Sequence, residues 1–171
     1  MNAKATDHVI APFRTDEHDH DICIEDALAA AEELCRKQRV SLTVLRRRVL
    51  ELIWRRHGPV GAYELLDQLR TDRRGAAPPT IYRALDFLVQ QGLAHRLSST
   101  NQYLACDHIT CHHGHQGTVF LLCDECGAVQ ETPMAGAAIS ELQQSINSLG
   151  FVTQQNPLLE VHGRCASCVA L

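Results

Sequence analysis

No stretch of the 171-residue chain approaches the roughly 18–20 consecutive apolar residues that a membrane span requires. The N-terminal residues lack the apolar core of a signal peptide, so a cytoplasmic protein in a thiol-reducing compartment is expected. There is no internal repeat. No glycine-framed nucleophile occurs, and neither Cys-x-x-Cys pair follows a βαβ pattern, which argues against hydrolase and dithiol-oxidoreductase chemistry. No catalytic residue is therefore expected.

Positive charge is also scarce on average: sixteen Lys and Arg against twenty Asp and Glu give a net charge of −4. The average conceals a strong asymmetry. Arg36 to Arg96 holds thirteen basic and five acidic residues, a local charge of +8, and the rest of the chain carries −12. A basic block inside an acidic chain is the electrostatic footprint of a segment that sits on phosphates.

Residues 1–23 are polar and acidic, without lasting periodicity, and read as a loose arm. Ile24, Leu28, Ala31 and Cys35 then mark one face of a helix ending near Arg39. Thr43 is a plausible N-cap for a second helix burying Val49, Leu50, Ile53 and Trp54 and stopped by Gly58-Pro59. A third helix follows Gly61 and buries Leu65, Leu66 and Leu69. A fourth opens at Pro78-Pro79-Thr80, buries Ile81, Leu85, Leu88 and Val89, and ends at Gly92. Two short strands, Leu93–Leu97 and Gln102–Ala105, complete a winged helix-turn-helix over residues 24–104, with the fourth helix placed to enter a major groove.

A His- and Cys-rich hinge over 105–116 leads to a second unit, 117–171. Its expected elements are strands at Thr118–Cys123 and Ala128–Thr132, a helix opening at Thr132-Pro133, and an extended stretch, Phe151–His162, interrupted by Pro157. In that helix Ile139, Leu142, Ile146 and Leu149 form an apolar stripe closed by Gly150. The expected class is α+β: an N-terminal winged helix-turn-helix followed by a small α/β dimerisation domain. The second unit is too small to cover both faces of its sheet, so one face is expected to pack on a copy of itself.

Cys123-x-x-Cys126 and Cys165-x-x-Cys168 form the strongest motif. Two residues between thiolates make a knuckle that turns both sulfurs toward one ion, and two knuckles complete a soft tetrahedral set suited to a closed structural Zn²⁺ site. Two disulfides or two redox dithiols are the alternatives, disfavoured in a reducing compartment. A second set combines His95 on the first wing strand, Cys106 after the second, His115 in the hinge and Glu131 at a strand end. Nitrogen, sulfur, nitrogen and oxygen suit zinc, and an ion held by wing, hinge and far unit would fix the angle between the two halves. Each residue also has a plainer role: a surface His, a small buried thiol, a carboxylate near a helix N-terminus. His113 is an alternative to His115, and Cys111 could serve another site. Cys23 and Cys35 read as core or incidental thiols.

Pro79-Thr80-Ile81-Tyr82-Arg83-Ala84-Leu85, Gly92-Leu93, the His-rich connector and Cys123-Asp124-Glu125-Cys126-Gly127 resemble the ferric uptake regulator family. Arg39-Val40-Ser41-Leu42-Thr43 with Arg46 resembles that family's usual start of its second helix. The likeness spans about Ile24 to Cys168, and within the family it is most similar to the zinc uptake regulators. Their regulatory zinc ligands match His95, Cys106 and Glu131 by position, with His115 slightly farther from Cys123 than is common. The thiolate at Cys106 sets the chain apart from iron-sensing members. A third metal site of some members is not expected here, because Gln155-Asn156 stands near its last-strand His.

The resemblance implies a homodimeric transcription regulator that represses zinc-acquisition genes when zinc is plentiful, with two Zn²⁺ per chain, one structural and one regulatory. It implies an AT-rich, pseudo-palindromic DNA operator, Tyr63 and Arg83 approaching bases, and Arg46, Arg47, Arg48, Thr80 and Tyr82 contacting phosphates. Asp67 and Arg70 read as a local helix pair. Alternatives are a member of the same family sensing iron, nickel or peroxide, a thiol or zinc enzyme with a redox Cys-x-x-Cys, and a zinc-ribbon adaptor that binds only proteins.

Overall fold

The computed structural model describes residues 20–56, 58–72, 77–106, 117–133, 136–152 and 158–169. The element order is α1 (His20–Lys37), α2 (Val44–Arg56), β1 (Val60–Gly61), α3 (Ala62–Asp72), α4 (Pro78–Gln90), β2 (Ala94–Leu97), β3 (Gln102–Ala105), β4 (Thr118–Cys123), β5 (Val129–Pro133), α5 (Gly136–Ser148), β6 (Leu158–Gly163) and α6 (Ala166–Val169). The expected α+β class, helices and a wing followed by a small α/β unit, is what the structure shows.

The four N-terminal helices bury the faces their periodicity marks. Ile24, Leu28, Ala31 and Cys35 of α1 meet Val49, Leu50 and Ile53 of α2, Leu65, Leu66 and Leu69 of α3, and Ile81, Leu85 and Leu88 of α4 in one core. Val89 departs from expectation and lies at the surface, while Ala84 takes the buried position beside Leu85. Helix α1 starts at His20, ahead of the apolar face. The remainder of the polar arm lies outside the described residues. Thr43 caps α2 through a 3.4 Å bond from the Arg46 amide to its Oγ1. The α3–α4 pair is the helix-turn-helix, and α4 opens with Pro at its first positions, where a missing N–H costs nothing. It closes at Gly92, whose φ of +68° only glycine adopts without strain.

The wing is a three-stranded antiparallel sheet ordered β1-β3-β2. Strand β1 has no sequence signal of its own, because two residues are too few to carry a period. Side-chain alternation then divides the wing between two cores. Ala94, Tyr103 and Ala105 face the helices. Leu97 and Leu104 face the opposite way and join Phe120 and Leu122 of β4, with Val129 of β5 against them. His95 pairs with Leu104 across the ladder, so it shares that second face.

The second sheet is ordered β5-β4-β6, with β5 antiparallel and β6 parallel to β4. The helix expected at Thr132-Pro133 begins later, at Gly136, because both residues still pair with β4, Thr132 with Val119 and Pro133 with Thr118. Pro133 is tolerated there since β5 is an edge strand and its missing donor breaks no ladder. In α5 only Ile139 of the apolar stripe is buried, and Leu149 is 85% exposed. The short α6 had no sequence period to reveal it.

Candidate metal centres and nucleic-acid interface

The four knuckle cysteines come from three places, the β4 end and turn (Cys123, Cys126), the chain just past β6 (Cys165) and α6 (Cys168). The turn is closed by a 2.9 Å bond from the Gly127 amide to the Cys123 carbonyl, with Gly127 at φ +71°. The Asp124 amide donates to Gly163 at 2.8 Å, which ties the knuckle to the end of β6. One sulfur from each cysteine lies within 4.8 Å of the other three. Cys126 Sγ and Cys165 Sγ are 3.8 Å apart, far beyond the roughly 2.05 Å of a disulfide, and none of the described cysteines is bridged.

The clustered thiols perturb one another's protonation. Backbone N–H donors of Cys126 and Cys165 pull the Cys123 thiol down to about 6. Cys168 is pushed up to about 12, first by its hydrogen bond with Cys165 and then by burial. Four sulfurs this close repel one another when ionised, and a divalent cation removes that penalty. The donor set fits zinc.

The second set is brought together across the two halves. His95, Cys106 and Glu131 each offer an atom within 4.8 Å of the others. His95 Nε2 lies 3.3 Å from Glu131 Oε1, with the Glu131 side chain 1% exposed. Cys106 is buried, its amide bonded to the Leu93 carbonyl at 3.2 Å, which keeps it beside the base of the wing. The His95 ring packs on Phe120 at 5.0 Å between centroids, so the imidazole is oriented by the second core. The buried Nε2 makes no hydrogen bond, and imidazole, thiol and carboxylate together suit zinc. His115 and His113, the candidate fourth ligands, lie outside the described residues, as do Cys111 and Gln155-Asn156.

The other candidates are distributed as follows. Tyr63 is 65% exposed at the start of α3, and Arg83 is exposed on α4. Thr43, Leu45, Arg46, Thr80, Arg83 and Ala84 line one surface recess between the starts of α2 and α4. Tyr82 is half-buried against the helical core. The arginines of α2 are less free than the sequence suggests. Arg46 donates to the Ser41 carbonyl at 2.6 Å and lies 3.6 Å over the Phe87 ring, bracing α2 on α4. Arg47 pairs with Glu32 at 2.7 Å, and Arg48 with Glu51 at 3.0 Å. Asp67 and Arg70 pair locally at 3.2 Å, as expected. Cys35 sits in the helical core, where burial raises its thiol pKa. His162 Nδ1 lies 2.9 Å from Asp124 Oδ1.

One contact between the halves escaped the sequence entirely. Glu160 on β6 reaches the turn that joins β2 to β3, where the Ser98 and Ser99 amides donate to it at 2.6 and 3.0 Å. A single strand glutamate carries no spacing or composition signal that could have revealed this.

A model of the ferric uptake regulator family matches residues 37–160. The zinc uptake regulation protein of Escherichia coli (strain K12) is 41% identical over 146 residues, covering 85% of this chain and 82% of its own. A structure of a zinc uptake regulator complexed with zinc and DNA superposes with a TM-score of 0.78 at 39% identity, covering 86% of this chain and 95% of that one. Holo XcZur gives 0.73 at 41% identity, covering 85% and 99%. Apo XcZur gives 0.50 at 40% identity, covering 86% and 99%.

Proposed function

The chain belongs to the ferric uptake regulator family, and from that premise we propose that it is a zinc-responsive, DNA-binding transcription regulator, a repressor of zinc-uptake genes with Zn²⁺ as corepressor. It is a regulator and not an enzyme. The observation that carries the reading is the largely buried triad of His95, Cys106 and Glu131, which joins the wing to the second sheet.

Zn²⁺ at the four cysteines would supply a closed structural centre that holds the two knuckles together. In this chain Cys123 and Cys126 would bind it from the β4 turn, and Cys165 and Cys168 from the far side of β6. The regulatory ion is the signal, taken up by His95, Cys106, Glu131 and His115, with His113 as the alternative fourth ligand. The stoichiometry is two Zn²⁺ per chain.

The switch is a shift of populations. The helix-turn-helix is bonded to the wing through β1 and β3, so the wing sets the aim of α4. Joining the triad fixes the wing on the second sheet and raises the fraction of molecules with α4 correctly placed, and operator affinity rises with that fraction. By linkage, DNA tightens zinc binding by the same factor. A thousandfold gain needs about 4 kcal/mol of coupling, well within what metal coordination provides. The higher superposition score with holo than with apo XcZur, at nearly equal identity, supports reading this arrangement as the loaded one.

The functional unit is a homodimer, supported by the uncovered stripe on α5 and by Phe151 and Val152, exposed to 65% and 76%. Its operator is AT-rich and pseudo-palindromic, matching the twofold axis of the pair. Arg83 and Tyr63 approach bases; Thr80, Tyr82 and Arg46 contact phosphates. Residues 24–104, with α1 reaching back to His20, are the DNA-binding unit and 117–171 the dimerisation unit, in the cytoplasm. Among the described residues no helix is long and apolar enough to cross a membrane.

The decisive experiment is operator binding by purified protein in zinc buffers, with iron(II) and nickel(II) as competing signals. Tighter binding with zinc at concentrations where the other ions fail supports the reading. Equal binding by the stripped and loaded protein overturns it.

A further inference from the structure

The registers of the second sheet place Glu131 and Glu160 opposite the same residue. Phe120 pairs with Glu131 on β5 and with Glu160 on β6. Residues directly opposite on neighbouring strands project to the same face, so the three side chains form one row across the sheet. Each touches the wing at a different point: Glu131 at His95, Phe120 at the His95 ring, Glu160 at the Ser98-Ser99 turn. Two strand spacings separate the glutamates, about 10 Å, and three residues separate His95 from Ser98 along β2, again about 10 Å. The wing strand thus spans the row, with one carboxylate under its base and the other under its tip.

The tip contact is fully formed by protein groups. Two backbone amides and the Ser99 hydroxyl all donate to the Glu160 carboxylate. Burial raises the Glu160 pKa, but the Ser99 hydroxyl and the two amides outweigh it and hold the group below its ordinary value, hence ionised at neutral pH. Charge-assisted bonds of this kind are stronger than neutral ones and fix geometry. The amides of the turn are therefore spent on the second sheet, and in this arrangement the wing tip serves as an interdomain contact and not as a phosphate ligand.

We propose that Glu160 is a positioning residue, the metal-independent second anchor that converts occupancy of the His95–Cys106–Glu131 triad into a fixed angle of the DNA-binding unit. The inference rests on the function proposed above. The triad holds the base of the wing, and the apolar contact of Leu97 and Leu104 with Phe120 and Leu122 is non-directional; a hydrogen-bonded contact about 10 Å from the triad adds a directional restraint on rotation. Loss of Glu160 leaves the metal ligands in place and releases the angle.

The test uses full-length wild type, Glu160→Ala and the isosteric Glu160→Gln, with a DNA duplex selected by zinc-loaded wild type from a random pool. Zinc content at saturation, dimer mass and operator affinity with and without zinc are measured for each. Both variants are expected to keep the wild-type zinc content and mass. The ratio of affinities with and without zinc is expected to fall tenfold or more in Glu160→Ala and less in Glu160→Gln, which retains one acceptor oxygen. A purely structural role would weaken both affinities together and leave the ratio unchanged, which overturns the proposal. A wild type that ignores zinc overturns the function itself and the anchor with it, whereas a responsive wild type beside equally responsive variants overturns the anchor alone. If Glu160→Ala fails to fold, Glu160→Gln and Ser99→Ala decide: undiminished ratios in both overturn the anchor.

Discussion

Glu131 and Glu160 flank Phe120 on opposite sides of β4, and both carboxylates reach the wing. Glu131 meets a metal-ligating residue type, His95, while Glu160 meets backbone amides. The same face of one small sheet thus presents a candidate metal-ligand carboxylate and a hydrogen-bonded one to the same hairpin.

Cys106→Ser replaces the soft donor of the triad with a hydroxyl of nearly the same size. Burial at Cys106 is preserved, so the fold and dimer should survive. Zinc per chain, measured by elemental analysis after gel filtration, is expected to fall from two to one, and operator binding should lose its zinc dependence.

Cys123→Ser acts on the other centre and should do far more damage. A structural zinc site in a small unit contributes on the order of 10–16 kcal/mol, comparable with or larger than the whole stability of a domain. Circular dichroism and light scattering should report loss of folding or of the dimer. A soluble, metal-free dimer of this variant would contradict the assignment.

Arg83→Ala should weaken operator binding by roughly 5- to 150-fold, the range for losing a bidentate base contact of about 1–3 kcal/mol, and relax sequence preference at one base pair per half-site. Arg46→Ala should instead lower thermal stability as well as DNA affinity, because its guanidinium braces Phe87 and Ser41. Parallel melting curves and binding isotherms separate the two effects.

The response should weaken as pH falls. Cys106 must lose a proton to bind metal, so the half-saturating zinc concentration should rise by up to about tenfold per unit of acidification. The Glu160 contact is lost in the same direction but at much lower pH: with a lowered pKa its contribution is complete above the unfolded value of about 4.5 and is lost only as pH drops through the lower folded value. Zinc titrations from pH 8 to 5.5 therefore report the ligands and leave the anchor intact.

Much of this protein was legible in its residue order. The period of Ile24, Leu28, Ala31 and Cys35, and its counterparts in α2 to α4, dictated the helical core because a 3.6-residue stripe has nowhere else to be buried. The two knuckles announced their centre because a metal needs ligands at fixed short spacing, and short spacing is local information. The second set was readable as a group by donor type and by resemblance, but the closeness of His95, Cys106 and Glu131 was decided by the way two sheets face each other. Strand β1, the late start of α5 and the Glu160 contact were decided by pairing register, which depends on partners distant in the chain and leaves no local pattern. Composition and periodicity set what each element is; only the packing of the wing onto the second sheet decided which side chains meet across it.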